Sequence, residues 1–268
     1  MLPEKNVSTE RNHYLREIKK RKIRIHLIRI LIIAVFLILW EITASCGIID
    51  SFFFASPSRL VQCFIFLTKE NAFFSHISIT LLETAVSFLL VTLLSLLCAI
   101  LLWYFKTAAN ATEPYLVILN SLPKSALAPL LIVWFGGNMK TIIITGLSVA
   151  IFGSVLSLYR GFQEVEPDKY KLIATLGGNK KDVLFKIILP SNIPNLLTIM
   201  KVNIGLCLVG VIIGEFIAAR KGLGYLIIYG SQVFKMDWVI LSILVLCVIA
   251  FALYQIITVV EKKFSKAA

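Results

Sequence analysis

Long apolar runs, separated by short polar connections, make up most of this chain. Six of the runs are long enough to cross a bilayer as a helix, which takes about 20 residues. They cover residues 27–46, 77–104, 115–135, 141–159, 196–219 and 239–260. The pattern therefore predicts an all-α polytopic membrane protein with six transmembrane helices.

Two apolar stretches depart from this simple pattern. The third run contains Pro123 and Pro129 and carries Lys124. Prolines free backbone carbonyls, which are tolerated in a membrane only where protein or water satisfies them. Residues 60–66 are apolar but too short to span, and the sequence Ser-Pro-Ser at 56–58 is expected to break any helix before them. We expect this short stretch to lie along the outer membrane surface.

The longest polar segment between two apolar runs, residues 164–190, predicts two short helices. Pro167 suits the first turn of a helix, where its missing N–H costs nothing. Gly177 and the glycine after it can end that helix in a left-handed cap. Asn179 can begin a second helix, with Asp182 three residues on in a capping-box arrangement, and Pro190 is expected to stop it. A connection built in this way is expected to contact something outside the membrane.

The composition agrees with a membrane protein. Apolar residues make up 58% of the 268 residues and charged residues 16%, against about 45–50% and about 25% in soluble domains. A large soluble domain is therefore excluded. The formal net charge of +12 allows either a nucleic-acid-binding surface or a membrane orientation signal. Because the basic residues flank apolar runs and do not cluster on one element, we prefer the second and expect no nucleic-acid partner.

The distribution of Lys and Arg predicts an orientation. With the N-terminus, residues 105–114, residues 160–195 and the tail placed inside, 19 of the 27 basic residues fall on that side and 6 on the other. This bias favours cytoplasmic termini in a bacterial plasma membrane. The predicted organisation is a basic cytoplasmic segment, a six-span domain with a cytoplasmic connection, and a cytoplasmic tail, covering residues 1–26, 27–260 (connection 160–195) and 261–268.

The sequence holds none of the motifs that would indicate catalysis. It has no Gly-rich phosphate loop for ATP and no H-E-x-x-H motif, and its five cysteines form no C-x-x-C pair. We therefore predict no enzymatic activity, metal or cofactor in this chain. Glu41, Glu83 and Glu215 lie within apolar runs, where a carboxylate must face protein or water. Since all three lie toward the outer ends of their spans, structural pairing or path lining is preferred to a proton relay.

Gly210 and Gly214, in the fifth run, form a G-x-x-x-G spacing. Such a spacing lets two helices approach closely. The partner helix can belong to the same subunit or to a second copy across a dimer axis. The motif alone leaves both interpretations open.

One further pattern in the polar segment carries a family resemblance. Gly177, nine intervening residues and Ile187-Ile188-Leu189-Pro190 resemble the signature of binding-protein-dependent ABC importer permeases, which runs E-A-A, three residues, Gly, nine residues, I-x-L-P. The E-A-A half is replaced by Lys-Leu-Ile at 171–173, and residues 174–177 resemble the family's continuation. Stretches similar to the nitrate, sulfonate and taurine branch lie at 56–58, 122–130, 134–136, 214–216 and 222–224.

The resemblance implies a type I ABC importer permease fold and a transport function. In this family a cytoplasmic helix docks on a separate ATPase subunit, two permease chains enclose one path, and a binding protein delivers the solute from outside. A homodimer is expected here. The expected ATPase-coupling residues are Tyr170, Lys171, Ile173, Ala174, Leu176, Gly177, Leu189 and Pro190, and the expected translocation-path residues are Pro123, Lys124, Pro129 and Glu215.

The resemblance leaves the solute open among small anions such as sulfonates, nitrate and taurine, and thiamine-precursor-like or riboflavin-like compounds. The alternative function is an ion-gradient-driven secondary transporter. That class would need charged or broken helices in two related halves. In this sequence only one half has such breaks, and no internal repeat is evident.

Overall fold

The computed structural model describes residues 4–47, 50, 54–69 and 72–265. Every regular element among these residues is helical, which confirms the predicted all-α class. A π-helical turn, Leu184–Ile188, lies between α8 and α9. The helices are α1 (Glu4–Ser45), α2 (Pro57–Lys69), α3 (Ala72–Tyr104), α4 (Lys106–Ser121), α5 (Lys124–Phe135), α6 (Met139–Gln163), α7 (Pro167–Thr175), α8 (Lys180–Val183), α9 (Leu189–Ser191), α10 (Ile193–Ala218), α11 (Leu223–Gln232) and α12 (Met236–Ser265).

Five of the described helices are long and apolar enough to cross a membrane: α1, α3, α6, α10 and α12. Helices α4 and α5 meet at a bend of 97° and form a sixth candidate if the pair is one broken span. The predicted break in the third span is therefore real, and it lies at Leu122 and Pro123. Pro129 was also expected to interrupt the span, but it lies inside the continuous helix α5 and causes no break there.

The N-terminal compact unit, residues 1–64, contains α1 and the start of α2. Helix α1 runs from the basic segment into the first span without a break at residue 27. Residues 55 and 56 are non-helical and Pro57 begins α2, so the helical path is interrupted at this stretch as expected, with the proline in the first helical position, which it fits. The carboxylate of Glu41 accepts hydrogen bonds from the backbone N–H of Ser58 at 3.0 Å and from its hydroxyl at 2.8 Å. Glu41 is thus paired at a helix N-terminus.

The larger compact unit, residues 65–268, is built on close contact between α6 and α10. A Cβ added to Gly210 would lie 2.8 Å from the Cα of Gly146, and one added to Gly214 would lie 3.2 Å from the Cα of Ile142. The G-x-x-x-G spacing therefore serves packing inside one subunit, because only glycine lets the two backbones approach so closely.

A second link within this unit joins α10 to α12. Lys201, which lies within a span, forms an ion pair with Glu261, and both side chains are largely shielded. A lysine in a membrane helix is costly unless it finds such a partner. The sequence prediction had placed Glu261 in a polar tail and missed the pair.

Candidate functional site

The connection 160–195 begins with helix α7, which has two different faces. Tyr170 and Ile173 are partly buried and pack against a core cluster that includes Tyr159 and Phe162. Leu172, on another face of the helix, and Leu176, in the turn that follows it, are 58% and 74% exposed. The helix is therefore held against the bundle by one apolar face and presents another to its surroundings. Lys171 is also exposed and pairs with Asp168.

Helix α7 ends as the glycines predicted. Gly177 has a φ of +72°, in the left-handed region that glycine adopts without steric cost. The N–H of Gly178 donates to the carbonyl of Ile173 at 2.9 Å, which satisfies a carbonyl that the helix end would otherwise leave unpaired. Four residues, 176–179, lead from the end of α7 into α8.

Helix α8 begins with the predicted capping box. The side-chain oxygen of Asn179 accepts from the N–H groups of Lys181 and Asp182, and the carboxylate of Asp182 accepts from the N–H of Asn179 at 2.9 Å. The ammonium group of Lys186, 2.8 Å from Asp182, and the N–H of Asn179 together hold the pKa of Asp182 below its ordinary value. The carboxylate therefore stays ionised, and the cap stays intact, at neutral pH.

The prediction that Pro190 stops the second helix was wrong. The chain passes from α8 through the π-helical turn into α9, which contains Pro190 in its first turn, and then into α10. A proline is tolerated in a first turn because its N–H is not needed there. Leu184 and Ile188 are buried in the core cluster, whereas Phe185 is 66% exposed. Leu189 is partly buried against the same cluster.

Lys180 contacts the end of helix α3 and so links this connection to a span. The ammonium group of Lys180 donates to the carbonyl of Tyr104 at 2.6 Å and lies 4.5 Å from the centre of the Tyr104 ring. Tyr104 is the last residue of α3. This contact links the start of α8 to the end of α3.

A cavity of about 470 Å³ lies beside the break between α4 and α5. Lys124, the first residue of α5, lines it, whereas Pro123 and Pro129 are exposed and are not among its lining residues. Asn203 donates no hydrogen bond from its buried Nδ2 atom within the described part of the chain, although its Oδ1 accepts from Ser154 at 2.7 Å. The other polar lining residues are Asn120, Ser157, Asn195 and Thr198.

Sequence reasoning missed most of this polar lining. The available signal was a set of amides and hydroxyls inside otherwise apolar runs, on α4, α6 and α10. Such residues in membrane helices usually face protein or a water-filled space. What the pattern alone could not indicate is that three separate helices direct them to one cavity.

Glu215 lies elsewhere, in a buried network at the other end of α3. Its carboxylate accepts from the hydroxyl of Thr80 at 2.6 Å and from the N–H of Gly224 at 2.6 Å, and only 1% of the residue is exposed. Thr80 in turn accepts from the N–H of Leu223 at 2.9 Å, and Glu83, one turn further along α3, is also buried. The network holds the turn at 222–224 against the bundle, and Glu215 is not among the residues that line the cavity.

Comparison with known proteins agrees with this architecture. Residues 91–266 match the family described as binding-protein-dependent transport system inner membrane component. The chain is 28% identical to the formylaminopyrimidine transport permease protein ThiX of Halalkalibacterium halodurans, over 70% of this chain and 75% of that protein. It is 25% identical to the putative aliphatic sulfonates transport permease protein SsuC of Bacillus subtilis, over 88% and 86%.

Among solved structures, the fold resembles an inward-facing form of the MetNI methionine ABC transporter. The TM-score is 0.63 and the identity 15%, with 73% of this chain and 97% of that chain covered. This likeness shows the type I permease fold, and the comparisons lend no support to a secondary transporter. The chain therefore belongs to the binding-protein-dependent transport system inner membrane component family, the membrane-spanning permease subunits of ABC importers.

Proposed function

We propose that this permease carries a small organic anion of the sulfonate class along a path that Lys124 lines. The observation that carries the proposal is the cavity at the α4–α5 break, which combines a lysine with amide and hydroxyl groups and has no acidic residue among its described lining. Lys124 also begins α5, and the free N–H groups of a helix N-terminus favour anions. The relative named for aliphatic sulfonates supports the same class.

A neutral heteroaromatic solute is the second candidate. Asn120, Asn195 and Asn203 supply amides to the cavity, and an amide can donate to and accept from a pyrimidine ring at once. The relative named for formylaminopyrimidine supports this class. The two candidates differ in charge, so a single substitution separates them.

The test is transport by the Lys124→Gln variant, reconstituted with the cognate ATPase and binding protein. If the solute is an alkanesulfonate, we expect its uptake to fall at least about tenfold, because a charge-assisted contact is worth roughly 1.5–3 kcal/mol. If the solute is instead formylaminopyrimidine, its uptake should be unchanged by the substitution. Lys140→Gln, at an exposed position near the start of α6, is the matched control. Sulfonate uptake that survives Lys124→Gln would contradict the anion proposal.

The connection 160–195 is proposed to receive the ATPase, which hydrolyses ATP in a separate subunit. Leu172 and Leu176 would enter a groove on that subunit, and Tyr170 and Ile173, packed on the core, would pass its movement to the spans. Gly177 ends the helix, Leu189 and Pro190 connect the segment to α10, and the side chain of Ala174 lies outside the described residues. Such a rigid-body transfer needs a segment anchored at several points, and the contacts of α7 and of Lys180 supply them.

The assembly we infer is a homodimer in the bacterial plasma membrane, with both termini in the cytoplasm and a binding protein outside. The Lys and Arg bias supports the orientation. In addition, Lys180 contacts Tyr104 at one end of α3, and His76 accepts from the N–H of Gly222 at 2.9 Å at the other end. The segments assigned to opposite sides by charge thus meet opposite ends of the same helix.

A further inference from the structure

A second cavity, of about 590 Å³, lies where the connection 160–195 meets the ends of the spans. Its size is within the range of small-molecule sites, about 300–1,000 Å³. None of the described residues that line it is acidic, and they comprise two lysines, three aromatic residues, two amides and three apolar residues. They are Lys106, Lys180, Trp103, Tyr159, Tyr170, Asn110, Gln163, Val165, Pro167 and Val183.

The two lysines give the cavity its charge. Lys180 uses one N–H for the carbonyl of Tyr104, which leaves two of its three donors for an occupant. Lys106 begins α4 directly after the end of α3 and is exposed. Glu113 is the acidic residue of α4, and it is not among the residues that line the cavity. The cavity is therefore a basic site with hydrogen-bond donors.

The cavity lies at the ends of two spans, which places it near the membrane surface. Trp103 lies one residue before the end of α3, and Tyr159 lies in the last turns of α6. Both residues are buried in the core cluster, so the cavity lies at the level where these two spans end, next to the lipid headgroups. Basic pockets between transmembrane helices at this level bind phosphate-bearing headgroups.

We propose that this cavity binds a phosphate group at the membrane surface, contributed by the headgroup of an anionic phospholipid or by a free phosphate ligand. Lys106 and Lys180 neutralise the phosphate, and Asn110 and Gln163 donate hydrogen bonds to it. An occupant touches the ends of α3 and α6 as well as α7 and α8. Its binding therefore stabilises the present position of the connection 160–195 relative to the spans. This site is separate from the Lys124 cavity and does not depend on which solute is carried.

The test measures binding by the intact importer complex. We expect native mass spectrometry of the delipidated complex to show phosphatidylglycerol bound in preference to phosphatidylcholine. Lys106→Gln should reduce that preference roughly fivefold, the effect of one lysine near a charged lipid surface. Lys181→Gln is the matched control, because Lys181 is an exposed lysine next to Lys180 in the sequence but does not line the cavity. Asn110→Asp, which keeps both lysines and adds a negative charge, should weaken the preference to a similar extent.

Calorimetric titration of inorganic phosphate, with the complex in phosphatidylcholine nanodiscs, distinguishes the two sources. Saturable binding that Lys106→Gln removes supports a free phosphate ligand, whereas lipid preference without such binding supports the headgroup. The proposal is overturned if the wild-type complex shows neither behaviour. It is also overturned if Lys181→Gln reduces binding as much as Lys106→Gln does, because the effect would then be one of general surface charge.

Discussion

Gly177 is held in a left-handed conformation, with a φ of +72°, at the turn between α7 and α8. A Cβ added there would meet nothing within 4 Å, so any penalty of substitution comes from the backbone and not from a clash. For a residue other than glycine, this conformation costs roughly 1–2 kcal/mol, and asparagine tolerates it best. The backbone conformation of the turn is therefore enough to explain the glycine at position 177, without any contact with the ATPase.

Replacement of Gly177 by valine is expected to weaken the connection, since a β-branched residue fits a left-handed φ poorly. We expect faster hydrogen exchange at residues 167–183 and weaker co-purification of the ATPase, with Gly177→Asn close to wild type. Gly205→Ala is the matched control, because Gly205 also has open space for a Cβ but lies in the regular helix α10. Unchanged exchange and assembly in Gly177→Val would contradict the role given to this turn.

Helix α7 is the element on which the proposed coupling depends. Its inner face packs against the core cluster through Tyr170 and Ile173, while Leu172 and Leu176 remain exposed. These leucines lie on the polar connection, where exposed apolar side chains are unusual. Exposed apolar patches generally mark interaction sites. The helix therefore has one face packed on the bundle and an exposed apolar face that suits the proposed contact with the ATPase.

Leu176→Glu is expected to reduce affinity for the ATPase about tenfold or more, because it places a charge at the centre of the proposed contact. The chain itself should keep its fold, since the side chain is 74% exposed. Val233→Glu, at an exposed apolar position just before α12, provides a control with the same new charge away from α7. ATPase affinity can be measured by titration against the solubilised permease, and equal affinities for wild type and Leu176→Glu would refute the docking face.

At the scale of the whole molecule, the contacts at the two ends of α3 define two sides. Lys180 binds at Tyr104 on one side, and the turn at 222–224 binds at His76 and Thr80 on the other. Any orientation of the bundle in the membrane must keep these two regions on opposite sides. The bias of basic residues supports the proposed cytoplasmic location of the Lys180 side.

Site-directed labelling checks this orientation. In a background without the five native cysteines, a membrane-impermeant maleimide should modify Lys181→Cys only in inside-out vesicles and Lys221→Cys only in right-side-out cells. Both positions are exposed, so lack of reaction reports sidedness and not burial. The reverse pattern would place the termini outside and would require the ATPase-docking proposal to be abandoned.

Local patterns were sufficient for much of this structure. The span positions, the left-handed end of α7 and the capping box of Asn179 and Asp182 all follow from a few neighbouring residues, because helix initiation, helix termination and membrane insertion depend on short stretches of chain. The resemblance carried by Gly177 and the residues up to Pro190 likewise needed only their spacing, and the family match confirms it.

Only the tertiary structure decided how distant residues combine. A π-helical turn at Leu184–Ile188 precedes Pro190, and both Leu184 and Ile188 are buried in the core cluster. Glu215 holds the 222–224 turn because Thr80, 135 positions away, meets it in the fold, and Lys124 shares a cavity with Asn203 because α4, α6 and α10 converge there. None of these contacts is encoded by local propensity: each depends on which helices pack together, and packing is a property of the whole bundle.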